Sequence, residues 1–315
     1  MKRDGSPSKG EPSGLAYAFL TFTCFGVTNF LLGVIAERAT DPHQAVLIAP
    51  VVLWLGTGLL GILFRFLPAG KPLWQAATAH THHFRLAAAA GFFLAMGMLS
   101  LKIGFLTDPA SKGPITAVTA ANAVLVALMA LWILQERLAS AQWLGILLTA
   151  AGIAGMAFSS EGGNALKGMG FGLITLTCFA ITNFTLKTLG HRGMNSMSAA
   201  LVIWLAVGAC GAAGAAVLAV TGRSPFQLRP HYLLPTALAA GLILGAGMWS
   251  LKRGVTIGRA GPVTAIAGAN AWLVTVLDLI AFRHFPSILK LAGMAVALIG
   301  VAVLGICRGG RDIRE

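Results

Sequence analysis

Two asparagines, Asn122 and Asn270, stand inside long apolar stretches at positions that coincide when the chain is aligned with itself. Thr116, Thr119 and Asn122 follow i, i+3, i+6 spacing, which on a helix places them on roughly one face, and Thr264 and Asn270 repeat the pattern. A carboxamide offers two donors and two acceptor lone pairs, which suits the carboxylate, amine, amide or hydroxyl of a neutral or zwitterionic metabolite. Thr28-Asn29 and Thr182-Asn183 form a second duplicated pair. Polar groups at such places need partners, because a bilayer interior holds no water to satisfy them. Two readings stay open for all of them: contact with a bound solute, or hydrogen bonds between helices.

Trp54 and Trp204 are also matched, and Trp249 follows Met248. An aromatic face can stack on a flat or cationic solute, and the same rings can simply fill space between helices. Asp278 lies near the end of its apolar stretch, and its counterpart is Ala130. Charge at membrane depth is expensive, so Asp278 is a candidate for a coupling proton or, alternatively, a partner of Arg283 or a loop cation. Lys102 and Lys252 are matched and close to segment ends, where long side chains are expected to reach for the interface. Small-residue runs such as Ala87 to Gly91 and Gly208 to Ala216 read as close-packing faces.

Other chemistry finds little support. His80, His82 and His83 lack a cysteine or carboxylate at ligand spacing, and Cys24, Cys178, Cys210 and Cys307 lie in apolar stretches without a CxxC pattern. HExxH, GxSxG and P-loop signatures are absent from the sequence. No cofactor, metal or catalytic residue is therefore expected. An intramembrane enzyme modifying lipids or metabolites would need paired acids, a Ser-His arrangement or a metal cluster at membrane depth, and only Asp278 approaches that.

The elements that must position these residues are set by composition. Of 315 residues, 57% are apolar and 10% charged, where soluble domains carry about 25% charged residues. A spanning helix needs about 20 apolar residues, and ten such runs are found near 14–36, 44–66, 84–107, 112–134, 138–158, 168–189, 196–220, 232–255, 260–282 and 286–307. The expected fold is an all-α membrane protein of ten transmembrane helices. Residues 1–13 read as a disordered cytoplasmic tail and 308–315 as a second cytoplasmic tail.

The chain repeats itself. LTFTCFGVTNFLL at 20–32 matches ITLTCFAITNFTL at 174–186 at 8 of 13 positions, an offset of 154. GFFLAMGMLSLKIG at 91–104 matches GLILGAGMWSLKRG at 241–254 at 8 of 14, offset 150, and GPITAVTAANA at 113–123 matches GPVTAIAGANA at 261–271 at 7 of 11, offset 148. The repeats span 14–158 and 168–307. Five spans per copy is an odd number, so the second five-helix repeat is expected to be inverted relative to the first. With alternating loops, 15 of the 23 Lys and Arg residues fall on one face, which predicts both termini to be cytoplasmic in a cell membrane. The net charge of +13 is thereby a topology signal, and nucleic acid is not an expected partner.

Phe25-Gly26-Val27-Thr28-Asn29-Phe30, Ser100-Leu101-Lys102, and Gln135-Glu136-Arg137-Leu138 followed by Gln142, Gly145 and Gly152 resemble EamA-type carriers of the drug/metabolite transporter superfamily. The resemblance implies ten helices in two inverted halves, a central cavity and secondary transport of small organic solutes. Phe25 and Phe179 replace a common Trp, and Ala123 and Ala271 replace a usual Pro, so a hinge built on a proline-freed carbonyl is not expected. The expected function is transport of small polar or amphipathic metabolites (amino-acid-like, sugar-like or drug-like) by alternating access, with export one possible direction. The expected partners are a small-molecule solute and the lipid bilayer, with homodimer formation left open. A non-transporting membrane scaffold is the remaining alternative.

Overall fold

The structure, a computed structural model, describes residues 13–135, 137–158, 163–224, 227–257 and 260–306. The expected tails at 1–13 and 308–315 lie outside the described residues apart from Ser13, as does Glu136. Every regular element among the described residues is helical. In chain order these are α1 (Gly14–Arg38), α2 (Pro42–Phe66), α3 (Gly70–Thr78), α4 (Thr81–Thr107), a 3-10 turn at Pro109–Ser111, α5 (Lys112–Ala120), α6 (Asn122–Ile133) and α7 (Ser140–Phe158). They continue with α8 (Gly163–His191), α9 (Ser196–Val220), α10 (Leu233–Ile257), α11 (Ala260–Gly268), α12 (Asn270–Phe282) and α13 (Ile288–Ile306).

Ten segments are long and apolar enough to cross a bilayer, which marks a multi-pass membrane protein. Their limits follow the apolar runs of the sequence closely. Two starts are visibly capped: Ser13 Oγ accepts from Ala16 N at 3.3 Å and Asn195 Oδ1 from Met197 N at 2.8 Å. Residues such as Val220 and Ile288 turn outward, 89% and 86% exposed, as lipid-facing side chains do.

Two features were not expected. Helix α3 is a short extra element in the second connection, where Arg65 lies over the Trp74 ring at 4.3 Å and Trp74 meets Phe84 edge to face. Spans four and nine, moreover, are broken in the middle: α5 gives way to α6 at Ala121, and α11 to α12 at Ala269. Neither break carries a proline; an asparagine follows each instead. Asn122 Nδ2 donates to Thr119 O and Asn270 Nδ2 to Ala267 O, both at 2.7 Å. At each break a side-chain amide thus donates to a carbonyl three residues back, which adds a local hydrogen bond where the backbone changes direction.

Helices meet through glycine. Residue Gly208 faces Gly58 so closely that a Cβ on it would lie 2.5 Å from the Gly58 Cα. Around that point α2 and α9 run antiparallel, since Gly61 meets Trp204 while Gly211 meets Leu55. Helices α7 and α13 do the same, Gly145 opposite Gly300 and Gly152 opposite Gly293, where a Cβ would stand 2.5 to 2.8 Å from a carbonyl oxygen across the seam. Only glycine permits such approach.

Candidate functional site

The duplicated asparagines find each other. Asn29 on α1 donates through Nδ2 to Asn270 Oδ1 on α12 at 3.1 Å, and Asn183 on α8 donates to Asn122 Oδ1 on α6 at 2.9 Å. Each bond joins one half of the chain to the other, at the break in span nine or span four. The two pairs differ in setting: Asn29 and Asn270 are buried, whereas Asn122 and Asn183 are half-buried. Bond capacity remains in both, because each carboxamide holds more donors and acceptors than one such bond uses.

The flanking threonines serve the packing. Thr28 Oγ1 donates to Ala240 O at 3.4 Å and its counterpart Thr182 to Ala90 O at 2.9 Å. Thr119 is buried and donates to Thr116 O at 2.7 Å. Ser100 reaches Phe171 O on α8 and Ser250 reaches Tyr17 O on α1, again as matched contacts, at 2.9 and 2.8 Å. Trp54 and Trp204 are buried in the α2 and α9 contact region, and neither indole N–H has a hydrogen-bond partner among the described residues. Trp249 is half-buried and meets Tyr17 edge to face with centroids 5.7 Å apart.

Lysine 102 corrects an expectation. It does not extend to the interface: it is fully buried, with its ammonium lacking a hydrogen-bond partner among the described residues. Residues Gly97, Ser100 and Gly104 take the α8 side of α4, so Lys102 emerges on another face and is enclosed by packing. Lys252 is half-buried.

Asp278 belongs to a charge cluster that the sequence left dispersed. Its Oδ1 lies 2.7 Å from Lys112 Nζ, and the same ammonium reaches Glu37 Oε2 at 3.4 Å and stands 4.4 Å from the Phe282 ring centre. Lys112 is fully buried, its methylenes laid against Gly33, where a Cβ would meet the Lys112 Cδ at 2.8 Å. His284 stands between the two carboxylates, Nδ1 3.4 Å from Asp278 Oδ2 and Nε2 3.7 Å from Glu37 Oε1, with its ring stacked on Phe282. Nearby, Lys290 donates to Ser111 Oγ at 2.6 Å and lies 3.5 Å from Asp108 Oδ2. An open depression of about 440 Å³ above the cluster is lined by Glu37, Arg38, Phe282, Arg283 and His284 among others.

The 3-10 turn before α5 folds Lys112 into the bundle, and an αL backbone at Arg283, φ 57°, ends α12 and carries His284 back over it. Gln135, matched to Arg283, has the same conformation, φ 55°, so this turn recurs in both halves while its charges do not. The matched positions to Lys112 and Asp278 hold Ala260 and Ala130. Among the described residues no group of three or more His, Cys, Asp or Glu side chains is placed to hold a metal ion. The histidine run opens α4, with His82 Nε2 2.8 Å from an Arg192 guanidinium nitrogen.

Neither a protein-family model nor a curated protein matches the chain. Among solved structures, a chain described as "Crystal structure of protein" superposes with a TM-score of 0.59 at 17% identity, covering 92% of this chain and 97% of its own length. That likeness shows the fold alone.

Proposed function

We propose that the protein is a secondary carrier of EamA type, built from two inverted five-helix halves and moving a small polar or amphipathic metabolite by alternating access. Both termini are placed in the cytoplasm of a cell whose plasma membrane holds the chain. The observation that carries this reading is the crossed pair of amide bonds, in which the broken centre of each half's fourth helix is held by an asparagine of the opposite half. A break at mid-membrane, satisfied by side chains, supplies both a bending point and polar groups where a solute could exchange hydrogen bonds.

Inversion is supported by the antiparallel course of repeat-related helices: α2 against α9 and α7 against α13. One-sided access is supported by the unequal setting of the amide pairs, one buried and one half-buried. In this reading the half-buried Asn122 and Asn183 face a pocket open at one end, Thr119 and Thr182 hold its walls, and the tryptophans stiffen them.

Purified protein in proteoliposomes, offered amino acids, sugars, nucleosides and polyamines under imposed solute and pH gradients, tests the proposal. At least one class should accumulate, and Asn122→Ala should cut that flux about tenfold, equivalent to about 1.4 kcal/mol, with monodisperse protein retained. Absence of flux for every class, or loss of folded protein in step with loss of flux, would count against it.

A further inference from the structure

We propose that His284, held between Asp278 and Glu37, is a proton-binding site that latches the end of the bundle where α1 finishes and α5 begins. The inference rests on the carrier reading and adds to it the ligand that closes one mouth. Glu37 and Asp278 each stand eight residues beyond an asparagine of the buried amide pair, one on α1 and one on α12. The cluster therefore caps the same end at which that pair is shut away, about 12 Å further along at 1.5 Å per residue.

The placing of the oxygens explains why a proton belongs there. Lys112 takes Asp278 Oδ1 and Glu37 Oε2, which leaves the second oxygen of each carboxylate turned toward the imidazole. A protonated His284 donates from both ring nitrogens toward those oxygens, now 3.4 and 3.7 Å away. In the structure the buried Nδ1 has no hydrogen bond, although a carboxylate oxygen stands close by. That is the setting of a donor site awaiting its proton. The stacked Phe282 fixes the ring, and Lys112 fixes both carboxylates.

Opening this mouth must part α1 and α5 from α12, which separates Glu37 from Asp278 and His284. The proton is then held by fewer carboxylates and bound more weakly. By linkage, the closed form binds more protons, so it is favoured as pH falls and yields to the open form as pH rises. Imidazole is the side chain that ordinarily changes charge between about pH 5 and 8, which sets the range over which the latch is tested. The other charges at this end are Arg38 over Phe282, Arg283 beside it and the neighbouring Lys290 and Asp108 pair.

The test places a thiol behind the latch. Thr275, buried on α12 one turn before Asp278, becomes Thr275→Cys in a chain whose native cysteines are replaced by alanine. Labelling by a membrane-impermeant maleimide is measured between pH 5.5 and 8 with His284 present and with His284→Gln. The ratio of the two rates cancels the intrinsic pH dependence of the thiol. Labelling in the glutamine variant should exceed that in the histidine protein about fivefold at pH 5.5 and converge on it at pH 8. A ratio that does not change with pH overturns the proposal, and so does failure to label in either protein, since a mouth that never opens has no latch. Should His284→Gln not give monodisperse protein, Glu37→Gln provides the comparison, with the same ratio expected. A pH-dependent ratio without solute flux leaves the proton site standing and removes the carrier, while flux with a constant ratio does the reverse.

Discussion

Lysine 112 shows how far a single side chain can depart from what its position along the chain suggests. It sits between an apolar run and a short connection, where a cation normally reaches water, yet its ammonium is sealed between Asp278, Glu37 and the Phe282 ring. Removing one partner of a buried ion pair leaves a charge without compensation, which costs about 3 to 5 kcal/mol, whereas replacing both by apolar groups of similar size is close to neutral. Lys112→Met should therefore lower the thermal midpoint of the detergent-solubilised protein strongly. Lys112→Met combined with Asp278→Leu should recover most of the loss, and a double variant no better than the single would show that Lys112 acts through something other than the pair. The asparagines were legible from sequence because duplication marks them at matching depth. Their mutual bonding was not, since self-alignment reveals which positions are equivalent and is silent on which ones touch. The charge cluster was illegible for a further reason: its members are far apart in the chain, and their convergence depends on a 3-10 turn and an αL residue that carry no strong signature.

At the level of helices, glycine decides how close two axes come. The run of ten apolar segments was readable to within three residues at each end because the bilayer's thickness demands a minimum apolar length of each of them. The breaks at Ala121 and Ala269 were not, since apolar periodicity continues straight through them and no proline stands at either. Where α2 crosses α9, a methyl group on Gly208 would press into the Gly58 backbone, which has no flexible end to move aside. Gly208→Ala should thus destabilise the bundle by about 1 to 3 kcal/mol, the usual consequence of overpacking. Gly190→Ala is the matched control on α8, because open space surrounds that position and alanine is the better helix former. Unfolding followed by heating in detergent should give a lowered midpoint for the first and an unchanged or raised one for the second. Equal midpoints would mean that the α2 and α9 crossing is looser than its geometry implies.

For the whole molecule, the consequential property is the relation between its halves. Matched residues make matched contacts throughout: Thr28 with Ala240 and Thr182 with Ala90, Ser100 with Phe171 and Ser250 with Tyr17, Asn29 with Asn270 and Asn183 with Asn122. Such reciprocity is what a two-fold relation between equal units produces, and in the proposed inverted arrangement that axis lies within the plane of the bilayer. In the proposed carrier the two halves exchange conformations, each adopting the bend of the other, so that a shared central site faces one side and then the opposite one. The Lys112 and Asp278 pair has Ala260 and Ala130 at its matched positions, so in the proposed carrier the two mouths are unequal. Arg38 and Arg192 put the inversion to a direct test. They are equivalent at the offset of 154, both are exposed, and each lies at the end of the first helix of its repeat. In a cysteine-free chain in intact cells, Arg38→Cys should react with an impermeant maleimide added outside, while Arg192→Cys should react only after the membrane is permeabilised. Reaction of both from the same side would mean that the halves point alike, and alternating access by exchange of their bends would then have no geometric basis.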